Sequence, residues 1–457
     1  MERGDWNVAS NWSKGRLPNE GEDVTINAQA TIPNGYTANV GEITLDPRVE
    51  IIIAEGAGLI HSNDNVTAAI HKSIPRYENE QSGWYFIASP IADDLDPNNP
   101  HDVEDLITGD AYDLYFFDES QSGEEWRNYK QPSENGGGFP IQNTKGYLYA
   151  NKEGASLVFG GALKPAGAGD VNVNLAYTSG NPLAGWNLVG NPFPCDAYVD
   201  KPYYVTDRDG GRFEAKEASV PIPPCTGLLV HATSTGQSII FSKNSRGGLK
   251  RDLQLSLAEA NERDGSTSLM DNAIVNFDEG EALPKFVFNE NNAKIYIPQG
   301  RKDYAVVGSE KQGEMPVHFK AVEDGTYTLT VNPEGVEMDY LHLIDKSTGA
   351  DIDLLVEPTY RFSATTADAE SRFKLVFRAN DDEEEPNHDF AFVSNGQIIL
   401  FDVEGEGTLQ LIDLLGHVLS SGNMESTVYV GGLRSGVYVL RLLQSERTLT
   451  QKIVIQN

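Results

Sequence analysis

The chain is short of the features that mark most enzymes and membrane proteins. Two cysteines in 457 residues cannot staple a scaffold in place of a core, and with no His pair nearby they make no zinc site. No run of about 18 or more apolar residues occurs, so no helix of this sequence spans a bilayer. Cations are scarce as well: 35 Lys and Arg against 68 Asp and Glu leave a formal charge of −33. That field repels phosphate backbones and anionic headgroups, which makes nucleic acid and membrane surfaces poor partners. Divalent cations and solubility in a crowded exterior suit it better. The eight histidines show no ligand spacing, and a Gly-x-Ser-x-Gly elbow, a His-Glu-x-x-His pair and a Walker loop are all missing. The sequence therefore reads as non-enzymatic, although carboxylate pairs for a surface glycan hydrolase could be drawn from so many acids. Residues Met1 to Trp6 lack the charged-then-apolar order of a secretion signal.

What is present is turn chemistry: 44 Gly, 23 Pro and 19 Tyr with 39% apolar residues favour many short strands over helices. The length is too great for one core. The sequence predicts an all-β protein with several sandwich or jelly-roll-like domains in tandem. Residues 1–75 form a module of short, evenly spaced steps, separated by Pro33-Asn34-Gly35, Asp46-Pro47 and Gly56-Ala57-Gly58, which suggests a solenoid-like segment or a small sandwich. Residues 76–245 contain a duplication: Gly83-Trp84-Tyr85-Phe86-Ile87-Ala88-Ser89-Pro90-Ile91 is echoed by Gly185-Trp186-Asn187-Leu188-Val189-Gly190-Asn191-Pro192-Phe193. The Gly-led run at Gly146 is likewise echoed at Gly227. Residues 246–380 carry about eight strand-like runs at roughly ten-residue spacing, the pattern of a sandwich or jelly roll. The acidic run 381–388 is a linker that cannot bury itself. Residues 389–457 hold six or seven strands, a small Ig-like sandwich.

Several residues are candidates for chemistry. Counting from Asp94, oxygen side chains at Asp94, Asp96, Asn98, Asp102 and Asp105 have the spacing that wraps Ca2+, yet Asn99 stands where the loop wants Gly, and Asp105 is short for the last ligand. A solvated acidic loop is the competing reading. Asp207-Arg208-Asp209-Gly210-Gly211 reads as a plain hairpin turn. Trp84 and Trp186 lie in apolar runs and are expected in the core. Trp6, Trp12 and Trp126 have polar neighbours, and are the tryptophans that could stack on a sugar. Cys195 and Cys225 are either two buried thiols or a disulfide worth roughly 3 to 4 kcal/mol.

The stretches Ile412-Asp413-Leu414-Leu415-Gly416-His417-Val418, Gly432-Leu433-Arg434-Ser435-Gly436-Val437-Tyr438 and Gln451-Lys452-Ile453-Val454-Ile455 resemble, in order, the C-terminal sorting domain of the Bacteroidetes type IX secretion system. Asp413, Gly416, Gly432, Gly436, Tyr438 and Lys452 carry the motif. The resemblance implies export to the periplasm, recognition by the type IX machinery at the outer membrane, and release or anchoring at the cell surface, often with removal of the domain at a site expected between Asn380 and His388. The rest looks like modular, adhesin-like surface proteins of the same phylum, through Asp5-Trp6-Asn7 to Asn11-Trp12-Ser13 and Tyr112 to Asp118. The implied role is adhesion to glycans or to host or neighbouring surface proteins, with a calcium-assisted glycan-binding accessory protein as the alternative.

Overall fold

A computed structural model describes residues 3–77, 82–131, 138–207, 210–245, 251–260, 267–278, 280–287, 291–380, 389–401, 403, 405–424, 428–430, 432–445 and 448–455. The chain is all-β, as its turn-rich composition demands; two 3-10 turns, Ala9–Asn11 and Ala166–Ala168, are the helical segments among the described residues. It divides into two compact units, residues 1–249 with 281–289, and residues 250–280 with 290–457.

In the first unit the opening steps form three parallel ladders. Val24–Ile26 pairs with Ile43–Leu45, Thr37–Asn39 with Gly58–Ile60, and Gln29–Ile32 with both Arg3–Asp5 and Ile51–Ile53. Val24 faces Ile43, Ala30 faces Ile51 and Thr37 faces Gly58, so the chain returns to the same face about every 20 residues, which is solenoid geometry. Inward-pointing Val24, Ile26, Ile32, Ile51, Ile53 and Leu59 fill the interior. The solenoid does not stop at residue 75. Ile51–Ile53 pairs with Thr67–Ile74, and that strand pairs antiparallel with Ala155–Ala162. One sheet and one core thus cross the boundary expected there, because short parallel strands leave an edge that a neighbour must cover.

The duplication is visible strand by strand. In the first copy the sheet order is Trp126–Asn128, Tyr112–Phe117, Gly146–Asn151, Tyr85–Ala88; in the second it is Phe213–Lys216, Tyr203–Thr206, Gly227–His231, Trp186–Gly190. The bridges correspond too. Leu95 with Ile141 is matched by Ala197 with Ile222, and the copies join reciprocally through Ile87 with Thr226 and Val189 with Lys145. Ala88 N–H donates to Cys225 O at 3.2 Å while Gly190 N–H donates to Thr144 O at 2.9 Å. Thr144 (φ 70°) and Cys225 (φ 56°) hold the same left-handed kink ahead of their strands. Glycine is required at the crossing, because a Cβ on Gly146 would stand 2.5 Å from Val189 O and one on Gly227 3.0 Å from Ile87 O.

The disulfide is not formed. Both cysteines are free and buried, Cys225 in the core shared by the solenoid and first copy and Cys195 in that of the second. Burial pushes each thiol up to about 12, far from thiolate chemistry. Native protein should therefore resist a maleimide, yield two reactive thiols per chain once denatured, and melt at the same temperature with and without reductant. Loss of one hydrogen from each cysteine in the intact mass would reverse this assignment.

In the second unit the main strands lie in the order Ala350–Asp353, Met338–Asp345, Phe373–Ala379, Gln312–Lys320, Lys294–Gln299, Lys302–Gly308, Thr267–Asn276, Asp252–Ala260, Gly325–Glu334, Thr359–Ala364. Period-two alternation holds as expected: Tyr327, Leu329 and Val331 are buried, with the intervening threonines half-buried. The C-terminal module is a small sandwich. Ala391–Ser394, Gln397–Leu400 and Val428–Tyr429 form one sheet; Val418–Asn423, Gly407–Ile412, Gly436–Gln444 and Thr448–Ile455 form the other. The linker 381–388 lies outside the described residues.

Candidate functional site

The C-terminal module exposes large apolar side chains at one of its turns. Asp413 follows the strand Gly407–Ile412, and its carboxylate accepts the N–H of Leu415 at 2.9 Å and of His417 at 2.8 Å, with the His417 ring Nδ1 at 2.9 Å. These contacts, His417 first, hold the carboxyl below its ordinary range. Gly416 closes the turn at φ 91°, its N–H donating to Asp413 O at 3.0 Å. The turn holds Leu414 and Leu415 in water, 69% and 83% exposed. Further valines lie along the same sheet: Val418 opposite the buried Ile412, Ile412 opposite Val439, and Val437 opposite Val454. Val418, Val437 and Val454 are all exposed.

The other motif residues build the frame. Gly436 opens the central strand, and Tyr438 two residues later donates its hydroxyl to Arg434 O at 2.8 Å. Lys452 is exposed opposite Val439, and Gly432 is exposed in the turn before the strand. One frame residue escaped the sequence reading. Buried Gln451 accepts from the N–H groups of Phe390 and Ala391 at 2.8 and 2.9 Å and donates to Ala391 O, tying the last strand to the first. A lone buried Gln in an alternating strand was the signal.

Along the calcium spacing the carboxylates meet local amides. Asp96 Oδ1 accepts from the backbone and side-chain amides of Asn98, Asp102 accepts from Asp96 N–H and Asn99 Nδ2, and Asp94 accepts from Gln142 Nε2. Asp105 is exposed at φ 61°. Local amides answer these carboxylates, as in ordinary Asx turns. No group of three or more His, Cys, Asp or Glu side chains among the described residues could hold a metal ion.

The tryptophans sort differently from expectation. Trp6 is 2% exposed, so it offers no sugar face; Trp12 packs edge-on against it at 5.0 Å and donates its indole N–H to Trp6 O at 2.8 Å. Trp186 is buried, but Trp84 is half-exposed rather than core. It sits 5.9 Å from Tyr115, and Trp126 sits 4.9 Å from Phe117. Tyr115 and Phe117 alternate along one strand, with Trp126 opposite Phe117, so these four half-buried rings line one sheet face.

A groove of about 440 Å³ in the same unit is lined by residues including Glu55, Lys72, Tyr85, Tyr203, Asp207 and Lys216. Its carboxylates are occupied: Glu55 lies 3.7 Å from Lys72, and Asp207 pairs with Arg212 at 2.6 Å while accepting the N–H groups of Gly211 and Arg212. Asp207 thus shapes its turn, as the sequence suggested; Arg208 and Asp209 lie outside the described residues.

The family model described as "Secretion system C-terminal sorting domain" matches residues 386–456. The last module is such a domain, and the chain carries the signal of type IX secretion cargo, addressed to the cell surface or extracellular space through the type IX machinery. No curated protein matches the chain. A solved structure described as "Biofilm associated protein - BSP domain" aligns over 84% of this chain and 98% of its own with 9% identity and a TM-score of 0.16, a likeness too slight to carry an argument.

Proposed function

We propose that this is a modular β protein of the cell exterior whose residues before the sorting module serve a non-catalytic, adhesive or structural interaction. Export by the sorting module supports the location. The observation that carries the non-catalytic reading is the groove in the first unit, whose carboxylates Glu55 and Asp207 both lie against cations. The full chain, immobilised and exposed to a panel of glycans and matrix proteins with and without calcium, should bind saturably and leave each ligand intact. Release of cleaved sugar or peptide would overturn the proposal.

Glycan binding is the second reading, and it is favoured by the row Trp84, Tyr115, Phe117 and Trp126, a half-buried aromatic strip whose open edges could stack on sugar rings. It requires glycan signals in that panel that fall when Trp84 and Trp126 are changed to Ala. Binding confined to protein ligands would leave adhesion to proteins as the function.

A further inference from the structure

Within the second unit the sorting module is not a bead on a string. In the strand Ala391–Ser394, Ala391 and Val393 point into the module's own core, whereas Phe392 joins a separate buried cluster with Phe401 and Val376. In Gln397–Leu400, Ile398 and Leu400 face inward and Ile399 faces the same cluster. The sandwich answers with the opposite phase of its strands. Leu341, Leu343, Leu375 and Phe377 fill its core, while Tyr340, Ile344 and Val376 turn outward to meet the module. Phe392 is 2% and Phe401 7% exposed, and Phe392 meets the Tyr340 ring at 5.7 Å.

Polar contacts fix the register. Arg378, on the sandwich, donates to Asp389 Oδ2 at 2.8 Å and to Ala391 O at 3.3 Å, and its guanidinium stands 4.8 Å from the Phe401 ring. Glu314 accepts from Asn395 Nδ2 at 3.2 Å. An aromatic anchor pair beside a half-buried charge pair is the composition of a specific protein interface.

We infer that the sandwich face of Tyr340, Ile344, Val376 and Arg378 is a docking surface for residues 389–401 of the sorting module, and that the module stays bound by it when the chain between Asn380 and Asp389 is cut. Shedding of the module then takes two events, a cut and an unclasping, and the second uncovers an apolar face on the sandwich.

The test is a full chain with a specific protease sequence inserted between Asn380 and Asp389, cut to completion on a denaturing gel and then run on a sizing column at micromolar concentration. The fragments should co-elute. Phe392→Ala should make the cut fragments separate on the order of thirtyfold faster. Arg378→Glu, which sets a carboxylate against Asp389 from a partly exposed site, should do so as well, and keeps the question answerable should the Phe392 variant not fold. Separation of the cut wild-type fragments at that concentration, or variants that hold as tightly as wild type, would overturn the inference.

Discussion

Arg372→Ala should destabilise the sandwich of residues 250–280 and 290–380 by about 3–5 kcal/mol, the cost of stranding a buried charge, read as a shift in the urea midpoint. Asp345 is fully buried, and Arg372 nearly so; the guanidinium grips both carboxylate oxygens, at 3.1 and 2.8 Å, and donates a third bond to Ser363 O. The Ser347 N–H and the Tyr360 hydroxyl complete the set on Asp345. Arg372 also lies 4.5 Å from the Phe362 ring, so Lys at this position would lose both the fork and the stacking. Burial alone would raise the Asp345 carboxyl, but the bonds from Arg372, Ser347 and Tyr360 outweigh it and hold the group below its ordinary value. A depressed carboxyl contributes stability above its unfolded pKa of about 3.9, lost as pH falls through the folded value. The gap between wild type and Arg372→Ala should accordingly be full near neutrality and narrow in acid. A gap that is constant with pH would mean that the contribution of Arg372 is packing rather than charge.

The second large effect is expected at the crossing of the two repeats. Gly146→Ala places a Cβ 2.5 Å from Val189 O and 2.9 Å from Leu188 Cγ. The nearer neighbour is backbone, so it cannot swing away, and the cost should reach about 3 kcal/mol, the upper part of the overpacking range. Gly227→Ala, at the equivalent position of the second copy, meets Ile87 O at 3.0 Å and should cost markedly less. Because the two Gly-led strands bridge the opposite copy, through Lys145 with Val189 and Ile87 with Thr226, both copies should melt together in either variant. Two separated transitions in calorimetry would contradict the reading of the copies as one folding body.

What the sequence could show follows from what is local. The paired Gly-Trp strands announced the duplication because each copy repeats the same φ and burial demands, and Asp413 with Gly416 announced its turn because the bonds that build it lie within five residues. Trp6 misled because its sequence neighbours are polar while its burial comes from a distant parallel strand, Gln29–Ile32, and from Trp12 folding back on it. The acidic spacing at Asp94 to Asp105 left calcium and a solvated loop as alternatives for the reverse reason: spacing records where oxygens fall along the chain and not which nearby amides claim them. Trp84 looked like core since its run is apolar, yet it stands at the margin of its strand. The clasp was written in the sequence, though unread. Phe390-Ala391-Phe392-Val393 and Ile398-Ile399-Leu400-Phe401 break the one-face alternation of a free-standing sandwich, and strands apolar on both faces are buried on both faces.

The central claim is that the C-terminal module carries the export signal, and its exposed Leu414 and Leu415 are where we expect export to be sensitive to substitution. Its most direct test is fractionation of a host that possesses type IX secretion and expresses, each behind the same cleavable signal peptide, the full chain, the double variant Leu414→Asp/Leu415→Asp, and a chain ending at residue 380. Full-length protein should reach the medium or the outer surface. The double variant should melt as wild type yet remain, like the truncated chain, in the periplasm. Export of the truncated chain, or of the double variant at the wild-type level, would contradict the account.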